Sequence, residues 1–322
     1  MVKLFIIGNG FDIGHHLPTT YWDFRTFLNL KYPEFLWSFE EHYDIYPGMS
    51  DGEKKKILWS RFESNLANID EVSIIDSCVS MNLNLESGDV GIEDTLYYHF
   101  TDEYKYIEEL AGYLKQWVRT IKIRDCLPRT SLIDKNNGDL FLTFNYTAVL
   151  ENVYGIPPGN IVHIHGSLRE YTHDPVLGHS NKERLQKIRN RITEAEKVFD
   201  EKERSICRVI DDYYVKTFKD TSRYSVYLSV FAEKDISEII IIGHSLDEID
   251  MPYFSKIDSY TGKNRIWTVY CYDMDEAPDK RQSLIDIGID PDRIITVSTD
   301  GFYDLNDDEL AKRRAFELKY GF

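Results

Sequence analysis

The chain has 322 residues, 42% hydrophobic and 29% charged, with a net charge of -17. That length can bury one large core or two smaller ones, and the negative balance argues against nonspecific nucleic-acid binding, which needs a basic face to displace counterions. No apolar run approaches the roughly 20 residues of a membrane helix. Gly8 and Asp12 interrupt the first apolar segment before any small-residue cleavage site, so a cytoplasmic location is expected. The cysteines Cys78, Cys126, Cys207 and Cys271 are isolated, with no C-x-x-C pair for a zinc ribbon or a thioredoxin-type redox centre.

In chain order, Lys3-Leu4-Phe5-Ile6-Ile7 reads as a buried strand that stops at a sharp turn, Gly8-Asn9-Gly10. Thr20-x-x-Asp23 fits a capping box, and Tyr21, Phe24 and Leu28 recur at helical spacing to about Leu30. From Phe35 to about Arg129 the signals are mostly helical, with Leu58, Phe62 and Leu66 on one face and Ile107, Leu110 and Leu114 on another. Asn82 to Asp94 reads as an acidic connection. Strand signals return at Asp139–Phe144 and Ile161–His165, with a short helix from Ala148 to a stop at Gly155 between them. Lys182 to Phe199 and Ile206 to Phe218 are helical, and the basic residues from Lys182 to Arg191 read as a solvated helix face. The β-branched run ending at Ile242 is the strongest strand signal, followed by Ile266–Tyr272, Ile294–Val297 and a helical tail over Asp307–Leu318.

Near-continuous apolar strands separated by helices indicate a parallel α/β sheet buried on both faces. The predicted fold is Rossmann-like, a single domain over 1–322. Its sheet core spans 1–30, 136–180 and 235–300, with helical insertions at about 31–135 and 181–230. Ligands of such sheets bind outside the carboxyl ends of the strands. Those ends carry Gly8-Asn9-Gly10, Asn145, His165-Gly166 and Gly243-His244-Ser245, small or hydrogen-bonding residues that converge on one edge. A standard dehydrogenase is disfavoured. The glycine of its fingerprint's sixth position is Ile13 here, and no second strand ends in a carboxylate about 20 residues on.

Ile6-Ile7-Gly8-Asn9-Gly10-Phe11-Asp12 and His16-Leu17-Pro18-Thr19-x-Tyr21-x-Asp23-Phe24 resemble the opening of the AbiH family, bacterial abortive-infection proteins linked to phage defence. Trp59-x-x-Phe62-Glu63, Thr143-Phe144-Asn145-Tyr146-Thr147, His163-Ile164-His165-Gly166 and Gly243-His244-Ser245-Leu246-Asp247 continue the resemblance in order. More distantly, the pattern is similar to the sirtuin fold. The sirtuin G-A-G-x-S turn corresponds to Gly8–Asp12, T-Q-N-x-D to Thr143–Thr147, the catalytic H-G to His165-Gly166 and G-T-S to Gly243–Ser245. Asp12 stands where sirtuins have a serine and Thr147 where they have an aspartate. The zinc ribbon of the deacylases is missing.

The resemblance implies an antiphage effector that hydrolyses NAD, its substrate, to nicotinamide and ADP-ribose without a metal. Nicotinamide departs as a neutral pyridine, so the site needs no general acid; it must hold the pyrophosphate and orient an acceptor at the anomeric carbon. Backbone N–H groups from Gly8 to Gly10 would bind the pyrophosphate. Asn145 would fix the ribose and an attacking water, and His165 would be the base. Gly243 would allow close approach, Ser245 would hydrogen-bond the adenosine side, and Gly166 and Asp247 belong to the same cofactor-binding set. Asn9 and Asp12 complete the expected cofactor-binding set, although a carboxylate repels a pyrophosphate. Strand alternation places His163 and His165 on one face, one of them structural. His244 is a supporting residue, Tyr253 a wall, and Glu63 either reaches the cleft or pairs with Arg25. Competing readings are a non-catalytic nucleotide or ADP-ribose sensor and a metal-dependent hydrolase using His163, His165, Asp12 and His244. The helical insertions are candidates for homo-oligomer contacts or a lid, and a phage-derived trigger is expected.

Overall fold

A computed structural model of the chain describes residues 2–71, 106–169 and 172–305. They divide between two compact units, one drawn from Met1–Thr20, Lys115–Pro175 and Asp220–Phe322, the other from Tyr21–Leu114 and Val176–Lys219. The acidic connection at 82–94 and the predicted tail helix lie outside the described residues.

The first unit holds a six-stranded sheet. Its strands are β1 (Val2–Ile7), β2 (Leu140–Thr143), β3 (Ile161–His163), β4 (Ile236–Ile242), β5 (Ile266–Cys271) and β6 (Ile294–Ser298). They lie in the order β3-β2-β1-β4-β5-β6, and every pairing is parallel. This is the doubly wound, Rossmann-like arrangement, with the order reversing between β1 and β4. The apolar runs are buried on both faces. Leu4 and Ile6 join Leu142, Ile239, Ile241 and Trp267 in one cluster, while Phe5, whose side chain alternates to the other face, stacks on Phe141 at 5.2 Å. Each fully buried Leu, Ile or Phe is worth about 1.5–3 kcal/mol, so these central strands anchor the unit.

The second unit is helical and assembled from both insertions. Helices Tyr21–Lys31 and Pro33–Glu41 share an aromatic core in which Trp59 stacks on Phe62 at 4.8 Å. Leu58, Phe62 and Leu66 are all buried, but they do not share one continuous helix, because Asp51–Ile57 ends before a short 3-10 turn at Trp59–Arg61. The long helices Lys182–Lys197 and Glu201–Lys216 come from the other insertion. Tyr213 there donates to the carbonyl of Leu66 and meets the hydroxyl of Tyr43, and Arg184 pairs with Glu71. Arg25 does not pair with Glu63. It makes a two-pronged bond to the buried Glu40 at 2.6 and 2.9 Å, while Glu63 takes the fully buried ammonium of Lys219 at 2.7 Å and the Tyr21 hydroxyl.

β1 does not end in an open turn. It runs straight into the six-residue helix α1 (Asn9–Gly14), with Gly8 at its N-cap. The glycines are required because the end of β4 crosses here. A Cβ on Gly8 would lie 2.5 Å from the Gly243 carbonyl oxygen, and one on Gly10 would lie 2.7 Å from the Gly243 Cα. Gly243 itself has φ of +70, and its Cβ would sit 2.2 Å from the Phe11 nitrogen. Gly243→Ala is therefore expected to destabilise the fold by at least about 3 kcal/mol, whereas Gly159→Ala, with nothing within 4 Å of the added methyl, stays within about 0.5 kcal/mol. Chemical denaturation of both variants checks this, and a wild-type midpoint for Gly243→Ala contradicts it.

Candidate functional site

Four strands finish level with one another. Ile7 is in register with Thr143 on one side and Ile242 on the other, and Thr143 with His163. The hydrogen bonds continue past the strand ends, from Phe144 N–H to the Ile7 carbonyl at 2.9 Å and from Ile164 N–H to that of Thr143 at 3.0 Å. The convergence expected from the sequence is present, at the point where the strand order reverses.

The amides of Gly8 and Gly10 are already used. Gly8 N–H donates to Ile242 at 2.9 Å and Gly10 N–H to Gly243 at 2.8 Å, both backbone carbonyls. They hold the two halves of the sheet together at the reversal, which accounts for the glycine pair without a pyrophosphate. Asn9, the first residue of α1, is exposed. Gly166 has φ of +77 and lies so close to the His173 and Asp174 carbonyls that a Cβ would approach each to 2.4 Å. Ser245 is exposed and donates to Asp247 at 3.0 Å.

Asp12 sits on α1 with no exposed surface. Asn145 Nδ2 donates to its Oδ1 at 2.9 Å, and the Thr147 hydroxyl donates to its Oδ2 at 2.5 Å. Burial pushes the Asp12 carboxyl up to about 7, against the lowering effect of the Thr147 and Asn145 hydrogen bonds and the nearby His163. Its place in the site is beneath Asn145, which also donates to the Gly8 carbonyl at 3.1 Å. The remaining amide atom, Asn145 Oδ1, is buried and has no hydrogen-bond partner.

His163 and His165 go to different partners, because β3 ends at His163 and the following residues turn. His163 Nδ1 lies 3.2 Å from the Asn145 carbonyl oxygen and Nε2 3.1 Å from Glu151. Glu151 also meets Arg169 at 2.9 Å. Burial opposes its ionisation, but the His163 hydrogen bond and the neighbouring positive charge hold the carboxyl below its usual range. His163 thus supports the backbone of Asn145. His165 Nε2 lies 3.2 Å from Asp250 Oδ1, and His244 Nε2 lies 3.5 Å from the other oxygen of the same carboxylate. His244 Nδ1 accepts from Leu246 N–H at 2.9 Å, so its hydrogen is on Nε2, toward Asp250. Phe144 stands edge-on between the two imidazoles, with centroids at 4.9 and 4.3 Å. Tyr253 is a buried wall beside His165, at 6.0 Å.

Sequence reasoning missed Asp250 and Glu151. Asp250 occupies the N-cap of the helix Met251–Thr261 yet makes no side-chain cap bond; an acid just before Met251-Pro252 reads as an ordinary helix start, which hides it. Behind α1, His15 donates from Nδ1 to the Phe11 carbonyl at 2.8 Å and accepts at Nε2 from the Tyr154 hydroxyl at 2.7 Å. Burial pulls this imidazole down to about 4, so it stays neutral and structural. Among the described residues, no group of three His, Cys, Asp or Glu side chains is arranged to hold a metal ion. Among the same residues no helix is long and apolar enough to cross a membrane.

The buried carboxyl gives a test with a defined sign. Between the unfolded value of 3.8 and the folded value of about 7, Asp12 keeps in the folded state a proton that the unfolded chain has released. Its contribution to stability is therefore complete below pH 3.8, falls as pH rises toward 7 and is level above that. Asp12→Asn keeps an acceptor for Asn145 and a donor for Thr147 but does not titrate. The stability of wild type relative to this variant is expected to fall by about 2–3 kcal/mol between pH 5 and pH 8. Urea denaturation at both pH values measures it, and a difference that does not change with pH contradicts the assignment.

The family described as bacteriophage abortive infection AbiH matches residues 4–271, from within β1 to the last residue of β5, and so includes every element of the site. Among curated proteins no relative matches the chain. With well over half of its length matched, the chain belongs to the AbiH family of bacteriophage abortive-infection proteins.

Proposed function

We propose that this abortive-infection protein acts by hydrolysing NAD to nicotinamide and ADP-ribose at the carboxyl edge of its sheet. The observation that carries the reading is the unpartnered Oδ1 of Asn145, at the end of β2 and next to the strand end that bears His165. Asp12 and Thr147 also support the sirtuin-like reading. Both depart from the sirtuin motif, yet they touch each other. Each carries the kind of side chain, acid or hydroxyl, that the sirtuin motif has at the other's position.

In this reading the bond from the anomeric carbon to nicotinamide breaks with its electron pair going to the ring nitrogen, which leaves neutral. Asn145 Oδ1, with two lone pairs, accepts from a ribose hydroxyl and from the attacking water; that water forms the new carbon–oxygen bond, and its proton passes to His165. The Asp250 carboxylate beside Nε2 favours a hydrogen on that nitrogen and stabilises the imidazolium that forms. The proton is then released to solvent. Because the Gly8 and Gly10 amides are donated within the protein, the pyrophosphate is held by other groups, with Asn9 and the Ser245–Asp247 corner nearest the same edge.

Purified wild-type protein given NAD is expected to release free nicotinamide, and Asn145→Ala and His165→Ala are each expected to lower the rate at least about 100-fold at a temperature where a cooperative melting transition shows the variant still folded. NAD bound without nicotinamide release marks a nucleotide sensor instead. Absence of both binding and release, in vitro and in the NAD pool of phage-infected cells, overturns the reading.

A further inference from the structure

The two ends of the Asn145 carboxamide are not equivalent. Nδ2 donates to the Gly8 carbonyl at 3.1 Å and to Asp12 Oδ1 at 2.9 Å. Rotating the amide by half a turn would set its oxygen against a backbone carbonyl, which only accepts, and against a carboxylate. Asp12 cannot move aside, because it is fully buried on α1 and its second oxygen is held by Thr147. The main chain of Asn145 is fixed as well, its N–H donating to the Thr143 hydroxyl at 3.1 Å and its carbonyl meeting His163 at 3.2 Å. Oδ1 is left as a buried acceptor without a partner. Such an atom is satisfied only by an incoming donor.

We infer that Asp12 and Thr147 are positioning residues that lock Asn145 with its oxygen as the sole reading atom, so that the site selects a ligand presenting a hydroxyl hydrogen there and rejects one presenting an acceptor or nothing. The choice of a ribose hydroxyl as that group rests on the NAD reading; the lock does not. The lock also survives a change in the charge of Asp12. A proton on Oδ2 is accepted by the Thr147 hydroxyl, which serves equally as donor or acceptor, and Oδ1 remains an acceptor for Asn145. A carboxamide held by two acceptors, one of them a carboxylate, therefore has one orientation throughout the neutral range.

The full chain labelled with ¹⁵N-asparagine tests the lock without a ligand. The side-chain NH₂ pair missing from the spectrum of Asn145→Ser identifies the residue. Its hydrogen exchange is expected to be at least about 10-fold slower than that of exposed asparagines in wild type and in the conservative Asp12→Asn. In Asp12→Leu it is expected to accelerate at least about 10-fold, with Thr147→Val as the second variant should Asp12→Leu not fold. Binding supplies the selectivity arm, by calorimetry with ADP-ribose and with its analogue lacking the two secondary hydroxyls of the terminal ribose. Wild type and Asp12→Asn are expected to prefer ADP-ribose by about 10-fold to 100-fold, and Asp12→Leu or Thr147→Val by less than about 3-fold. Unaltered exchange in a folded Asp12→Leu overturns the lock, and equal binding of the two ligands by wild type overturns the selectivity. If wild type binds neither ligand, the NAD reading fails, and the exchange measurement alone decides the lock.

Discussion

Two backbones cross at the carboxyl edge of this sheet at a separation that leaves no room for a side chain. Gly8 and Gly10, at the junction of β1 and α1, lie against Gly243 at the end of β4, and the Gly10 N–H bonds to the Gly243 carbonyl. This crossing joins the two halves of the doubly wound sheet where its order reverses. It also fixes the start of α1, and hence Asp12 one turn along it. A bulkier residue at any of the three positions would lift α1 away, and with it the carboxylate beneath Asn145. The glycine pattern that elsewhere makes room for a phosphate makes room here for the protein's own chain.

From that crossing two sets of polar groups reach the same edge. One runs from Thr147 through Asp12 to Asn145, whose carbonyl meets His163 and through it Glu151 and Arg169. The other centres on Asp250, which faces His165 and His244 with Phe144 standing between the rings. The first set fixes an acceptor. The second places one carboxylate beside two imidazoles. In the proposed mechanism the acceptor and His165 serve the addition of water to a carbon whose leaving group departs without help. In the reaction proposed above, that carbon is the anomeric carbon of the nicotinamide ribose of NAD.

Much of this was legible in the sequence, for reasons that can be named. The strands β1, β2 and β4 are continuous apolar runs because both faces are buried, and such runs locate themselves. Their ends converge because a parallel sheet leaves no alternative. What escaped depended on contacts distant in the chain. Gly8 and Gly10 look like a ligand turn until Gly243 is placed against them. Asp12 looked misplaced beside a phosphate until Asn145 and Thr147 took both its oxygens. Alternation grouped His163 with His165, but a strand that stops at His163 does not carry alternation further. Asp250 was disguised as a helix cap. Nor does local periodicity reveal that insertions separated by the segment Lys115–Pro175 form one helical unit, where a buried Glu40 rather than Glu63 receives Arg25.

A crystal structure of the protein with ADP-ribose would show whether Asn145 and His165 face the terminal ribose of a bound nucleotide. A ribose hydroxyl is expected about 2.6–3.2 Å from Asn145 Oδ1, with the His165 ring beside the same sugar and the Asn145 amide nitrogen still on Asp12. ADP-ribose bound away from the carboxyl ends of β1, β2 and β3, or seated there with a phosphate oxygen against Asn145, would contradict it.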